Sequence, residues 1–271
     1  MGNFFKSNDF KTDYKKRPND EYKAAMDKLD DETKRRMNRQ RTWILVGVVA
    51  AVFVLVIVLA VTGIGTNKAE SAGNILDGGE TPKIACLGDS VTEGLTLTAS
   101  GEEICSVTYP EALKEELGSV LKVEADVKNY GESEGLAENT SYKKMSEAAD
   151  IAILLYTFEN YKAGEDPEGI LEANIEGLSN QGCLVYLVNY PYSTDAEDAK
   201  AAKQANQYIS KAAKDKSIML LDARAGFEGL LNEGYTEEDL FAADGIHLTE
   251  TGYEQLGKFI AGGLIQDAGL N

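Results

Sequence analysis

Two short stretches of the chain hold residue types that can do chemistry together. The first is GDSVTEG, Gly88 to Gly94, which offers the hydroxyl of Ser90 between glycines that permit a tight turn. The second is DGIHLTETGY near the C-terminus, with Asp244 and His247 three residues apart, and His247 is the only histidine in the chain. A serine hydroxyl is a weak nucleophile at neutral pH and needs a base within hydrogen-bond reach, itself oriented by a third group. If the chain uses a serine, its base can only be His247. The three-residue spacing lets both side chains leave one loop in the same direction, with Asp244 holding the imidazole or lying beside it. Each stretch has a plainer reading: GDS as a capped turn, the lone histidine as a surface or capping residue. It is the pair that points to acyl transfer.

The elements around these residues would have to bring position 90 to position 247. Five apolar runs read as strands: 83 to 88, 121 to 129, 151 to 156, 183 to 189 and 217 to 223. Several are apolar on both faces, which suits a parallel sheet buried between helices. Helix patterns fall between them at 110 to 118, 141 to 149, 167 to 180 and 194 to 215, with a last one from about 252 to 266 opened by Thr251 and Glu254 in capping-box spacing. This alternation predicts a three-layer α/β fold with a five-stranded parallel sheet and right-handed crossovers. It is too short a series for an eight-unit barrel, and no G-x-G-x-x-G follows the first strand. In such a sheet the loop after the first strand flanks the ligand crevice, so Ser90 is offered to it, and the amides opening the next segment could face an oxyanion.

Ser90 after the first strand and Asp-x-x-His before the last helix give residues 83 to about 266 a close resemblance to the SGNH/GDSL hydrolase family. The first block matches at Gly88, Asp89, Ser90, Thr92 and Gly94, the last at Asp244 and His247. The resemblance implies a flavodoxin-like fold, with Ser90 as nucleophile, His247 as general base and Asp244 as its orienting acid, and no metal or cofactor. It also implies an oxyanion hole from the Ser90 amide, a glycine after the second strand, which Gly131 fits, and an asparagine after the third. There the family's G-x-N-D is replaced by YTFE, with Tyr156 for the glycine, Phe158 for the asparagine and Glu159 for the aspartate. A shift of two residues supplies Asn160. Loss of one such donor typically slows catalysis by about two to three orders of magnitude, so a slow enzyme is one expectation. The chain lacks G-x-S-x-G, the strained elbow of α/β-hydrolases, which predicts a shallow, open cleft suited to small acyl groups or acyl groups carried on a polymer.

The chain has 271 residues, 43% hydrophobic, and a formal net charge of -18, which excludes disorder throughout and a nucleic-acid partner for the bulk of the protein. Residues 1 to 42 are different, with 12 basic and 8 acidic side chains, net +4 against -22 for the rest. Between the two lie 21 uncharged residues, Ile44 to Ile64, long enough at about 1.5 Å each to span a bilayer's core of roughly 30 Å. The KRRMNRQR flank keeps the N-terminus inside. The leader is too long for a cleaved signal peptide. Four parts of a single-pass membrane protein are therefore expected: a cytoplasmic basic tail (1–42), a transmembrane helix (43–64), a flexible Gly-rich tether (65–82) with a reach of about 20 to 25 Å, and an extracytoplasmic hydrolase-like domain (83–271). Cys86, Cys105 and Cys183 show no disulfide framework or zinc spacing, although Cys105 is left available for one disulfide. The expected activity is ester hydrolysis through an acyl-Ser90 intermediate, on a small ester or an O-acetylated surface or wall glycan. Acyl transfer through the same intermediate and a non-catalytic surface binding domain are the alternatives.

Overall fold

Apolar residues at both odd and even positions give each central strand two faces to bury, and the chain meets that demand with three layers. In the computed structural model the strands are β1 (Lys83–Gly88), a hairpin of β2 (Leu95–Thr98) and β3 (Gly101–Ile104), β4 (Asp126–Gly131), β5 (Ile151–Leu155), β6 (Leu184–Val188) and β7 (Met219–Leu221). The helices are α1 (Ala72–Leu76), α2 (Ser90–Glu93), α3 (Tyr109–Leu121), α4 (Pro167–Asn180), α5 (Ala199–Lys216), α6 (Ala223–Glu233), α7 (Glu237–Leu240) and α8 (Glu250–Asp267). The structure describes residues 72–77, 79–131, 141–145, 147–155 and 167–270. The basic tail and the expected span at 43–64 lie outside the described residues, as do residues 65–71 and 78 of the expected tether and residues 156–166 with Asn160. Among the described residues no helix is long and apolar enough to cross a membrane.

The sheet is five-stranded and parallel throughout, in the order β4-β1-β5-β6-β7. From β1 the chain crosses outward to β4 and then returns to the other side of β1 to lay down β5. The strand order reverses between β1 and β5, so the crevice beyond their carboxyl ends is the natural site for a ligand. On β5, Ile151, Ile153 and Leu155 point into the core shared with α3, α6 and α8, while Ala152 and Leu154 face the core beneath α4 and the second half of α5. The expected three-layer fold is the observed one.

Several expected boundaries move. Leu113, Leu117 and Leu121 keep helical spacing past Gly118, so α3 runs to Leu121 and closes on Lys122 at φ 58°; the second strand of the sheet starts at Asp126 rather than 121. The helix expected over 141–149 is a single 3-10 turn, Ser141–Lys144. Residues 194–198 stay irregular, and α5 begins only at Ala199. The last strand ends at Leu221 because Asp222 accepts from the Ala225 amide and caps a helix, α6, that the pattern reading missed. The final helix is capped by Thr249, whose hydroxyl accepts from the Gly252 amide at 3.0 Å, and not by Thr251, which sits in its first turn.

Residues 72–76 of the stretch expected to be a tether are helical: α1 buries Ala72 and Leu76 completely or nearly so against the core that includes α8. Truncating a buried leucine removes its packing and leaves a cavity. Leu76→Ala should therefore lower the unfolding free energy of the full chain by about 2 kcal/mol or more, read by urea denaturation; an unchanged midpoint would mean that α1 contributes nothing to the fold.

Candidate active site

Ser90 opens α2 directly after β1. Asp89 caps this short helix, its Oδ1 accepting from the Val91 amide at 3.2 Å, and Gly94 closes it at φ 101° with its N–H donating to the Ser90 carbonyl. Beneath lies a buried polar pair, Thr92 Oγ1 and Tyr109 OH at 3.3 Å, with the Cys86 thiol buried in the same core. Burial pushes that thiol up to about 12, so it is a neutral packing group. The three cysteines are free thiols.

His247 arrives from the other end of the chain, on a loop closed by an antiparallel bridge between Phe241 and Leu248. Inside it the Ala242 amide donates to the His247 carbonyl and the Gly245 amide to the Ala242 carbonyl, both at 2.9 Å. The hairpin adds a further tie, Thr96 Oγ1 donating to the Leu248 carbonyl at 2.8 Å. The loop brings His247 Nε2 to 3.1 Å from Ser90 Oγ across 157 residues of sequence. On the other side of the ring, Nδ1 lies 2.6 Å from Asp244 Oδ2. Asp244 thus holds the imidazole, the first of the two placements its spacing allowed. Its second oxygen accepts from the amides of Ile246 and His247, both at 3.0 Å.

Burial would push the Asp244 carboxyl up, but its hydrogen bond to the imidazole, the two amides and the attraction of a charged ring hold it below its ordinary value. It therefore stays ionised at neutral pH and can steady an imidazolium. Ser90 and His247 are both buried, and the three groups form one relay able to take a proton from the hydroxyl and return it. Among the described residues no group of three or more His, Cys, Asp or Glu side chains is placed to hold a metal ion.

Gly131 ends β4 against α2. A Cβ there would lie 2.0 Å from the Glu93 nitrogen, so only glycine lets strand and helix approach this closely. Its N–H already donates, to Asn129 Oδ1 at 2.8 Å, and Asn129 Nδ2 donates to the Thr92 carbonyl at 2.7 Å. As an oxyanion donor, Gly131 would have to give up the carboxamide. Asn129 and the hairpin were not singled out from the sequence; an exposed asparagine on an edge strand and two four-residue strands carry no pattern of their own. Residues 132–140 and 156–166, which follow β4 and β5 in the chain, lie outside the described residues.

Residues 86–255 match the model of the GDSL-like lipase/acylhydrolase family. The chain belongs to this family. It is a carboxylic ester hydrolase of the GDSL type, on a fold shared with solved esterases. An acetylxylan esterase from Geobacillus stearothermophilus is 15% identical, with a TM-score of 0.55 over 71% of this chain and 96% of that one. The aryl esterase of M. smegmatis is 17% identical, with a TM-score of 0.51 over 69% and 99%, and an alpha/beta hydrolase enzyme from the metagenome of Lake Arreo is 16% identical, with a TM-score of 0.52 over 70% and 96%. No curated protein matches significantly.

Gly131→Ala should force α2 and β4 apart, because the atom met is backbone and cannot swing away. Overpacking of this kind costs about 1 to 3 kcal/mol, and since α2 carries Ser90, ester hydrolysis should slow in the same variant. Denaturation and rate measured together test it, and an unchanged value of either would contradict the contact.

Proposed function

We propose that this GDSL hydrolase acts as a membrane-tethered, extracytoplasmic serine esterase that removes small acyl groups, best of all O-acetyl groups on a surface or wall glycan. The reading of the site rests on one observation, the unbroken relay from Ser90 Oγ through His247 to Asp244 at 3.1 and 2.6 Å. His247 Nε2 takes the hydroxyl proton as Ser90 attacks the ester carbonyl. The oxyanion of the tetrahedral intermediate is stabilised by the Ser90 amide, with Asn160 and, once released from Asn129, Gly131 as further donors. The intermediate collapses as the imidazolium returns the proton to the departing alcohol, leaving acyl-Ser90. Water, deprotonated by the same base, then releases the acid and restores the hydroxyl. Asp244 stays ionised and keeps the ring oriented.

The tether is inferred from the uncharged run at 43–64 and its basic flank. Confinement near the outer face of a membrane favours substrates fixed there, and the acetylxylan esterase among the similar folds acts on an acetylated glycan by its name.

A fluorophosphonate should label the purified full chain and fail on Ser90→Ala; no labelling between pH 6 and 9 would overturn the assignment. A membrane-impermeant form of the probe should also label intact cells, and labelling only after lysis would reverse the topology. His247 acts as base only while its ring is neutral, so kcat/KM should fall as the medium is made acidic, and a rate that does not change on acidification would contradict the role. Asp244→Asn removes the anion while keeping the shape, and should lower kcat by about three to four orders of magnitude. A loss of less than about tenfold would mean that the carboxylate does not serve the base.

A further inference from the structure

We propose that Tyr190, in the loop that follows β6, is a positioning residue for His247, a role that rests on the reading of Ser90, His247 and Asp244 as one relay. The two peptide groups between Gly245 and His247 are each held at both ends. Their N–H groups, those of Ile246 and His247, donate to Asp244 Oδ1. Their carbonyls are taken by the loop after β6: the Ser193 amide donates to the Gly245 carbonyl at 2.8 Å, and the Tyr190 hydroxyl donates to the Ile246 carbonyl. A peptide is a rigid plane, so the group that fixes the Ile246 oxygen also fixes the His247 N–H on its opposite side. The Tyr190 hydroxyl thereby sets the direction from which Asp244 is held, and Asp244 in turn holds the imidazole.

The support itself is stiff. Tyr190 is fully buried, and its backbone is clamped by Asn206 of α5, which accepts from the Tyr190 amide and donates to its carbonyl, both at 2.8 Å. Further along the loop Arg224 lies 4.4 Å over the Tyr192 ring and donates to the Tyr192 carbonyl. The two loops also meet too closely for a side chain between them: Gly245 sits at φ 67°, and a Cβ there would lie 2.9 Å from the Ala196 Cβ. Of the contacts that hold the two carbonyls, only the Tyr190 hydroxyl comes from a side chain, so it alone can be removed without breaking the backbone.

Tyr190→Phe deletes that one atom. In the full chain kcat on a short acyl ester should fall about 10- to 100-fold with KM nearly unchanged, because a misdirected base costs the transition state and not binding. Since His247 is the only histidine, the imidazole NMR spectrum reports this ring alone, and its downfield Nδ1 proton should move upfield as the bond to Asp244 loosens. Tyr186→Phe is the matched control. It deletes another buried tyrosine hydroxyl, one that donates to Asp267 at 2.5 Å, at the end of α8 about 25 Å from its start. It should lower stability and leave both kcat and the imidazole proton in place. Should Tyr190→Phe fold poorly, Arg224→Ala loosens the same loop from its outer side and should shift both readouts in the same direction. Unchanged kcat and an unmoved proton in Tyr190→Phe, or in Arg224→Ala where that variant is used, with Ser90→Ala inactive, overturn the role of Tyr190 and leave the relay standing. Full activity in Ser90→Ala would overturn the relay, and this inference with it.

Discussion

The carboxylate of Asp244 is the interaction on which the arrangement around Ser90 depends. One oxygen takes two backbone amides and the other takes the imidazole, so a single ionised group sets the shape of its loop and the direction of the ring. Charged acceptors make the stronger hydrogen bonds, and three donors converging on one carboxylate offset the cost of its partial burial. A neutral amide in its place would lack the charge that steadies an imidazolium and would present a donor where the structure supplies donors already. Its one oxygen could still accept from the two loop amides, but the ring would lose its acceptor and with it its orientation.

What brings the loop to Ser90 is topology. The reversal of strand order between β1 and β5 opens a crevice at the carboxyl end of the sheet, and α2 places Ser90 at its edge. His247 reaches the same edge because α8 packs along α3 and its N-terminal cap, Thr249, follows the histidine by two residues. The bridge between Phe241 and Leu248 then shortens the intervening chain to a closed loop. None of these restraints is strong singly. Together they bring two groups 157 residues apart to hydrogen-bond distance without help from a disulfide among the three cysteines.

Much of this was legible in the sequence, and for a physical reason. Ser90, Asp244 and His247 are reactive types in short, fixed spacings, and strands such as IAILL announce burial on two faces by their composition alone. Helix α6 was legible too and was missed: Asp222 as cap, Ala223, Phe227 and Leu230 at helical spacing and Gly234 at the end follow the usual signals, but the apolar run before it drew the reading into a strand. The role given to Tyr190 was not legible. An aromatic residue after a strand reads as core, and the carbonyl it meets lies 56 residues away. Nor was the bond from Gly131 to Asn129, which depends on how a side chain turns.

That last bond changes how Gly131 should be understood. A glycine after the second strand of the sheet suggests a free amide waiting for substrate, yet here the amide is satisfied by its own neighbour and the missing side chain serves a different end, the approach of β4 to within a backbone's thickness of α2. Asn129 joins the two at both ends, taking the Gly131 N–H and giving to Thr92. A net hydrogen bond is worth about 1 kcal/mol, whereas a charged oxyanion draws on a donor more strongly than a neutral carboxamide does. If the proposed exchange of Asn129 for an oxyanion occurs, it would be favourable only as charge develops, and the strand and the helix would keep their contact until then.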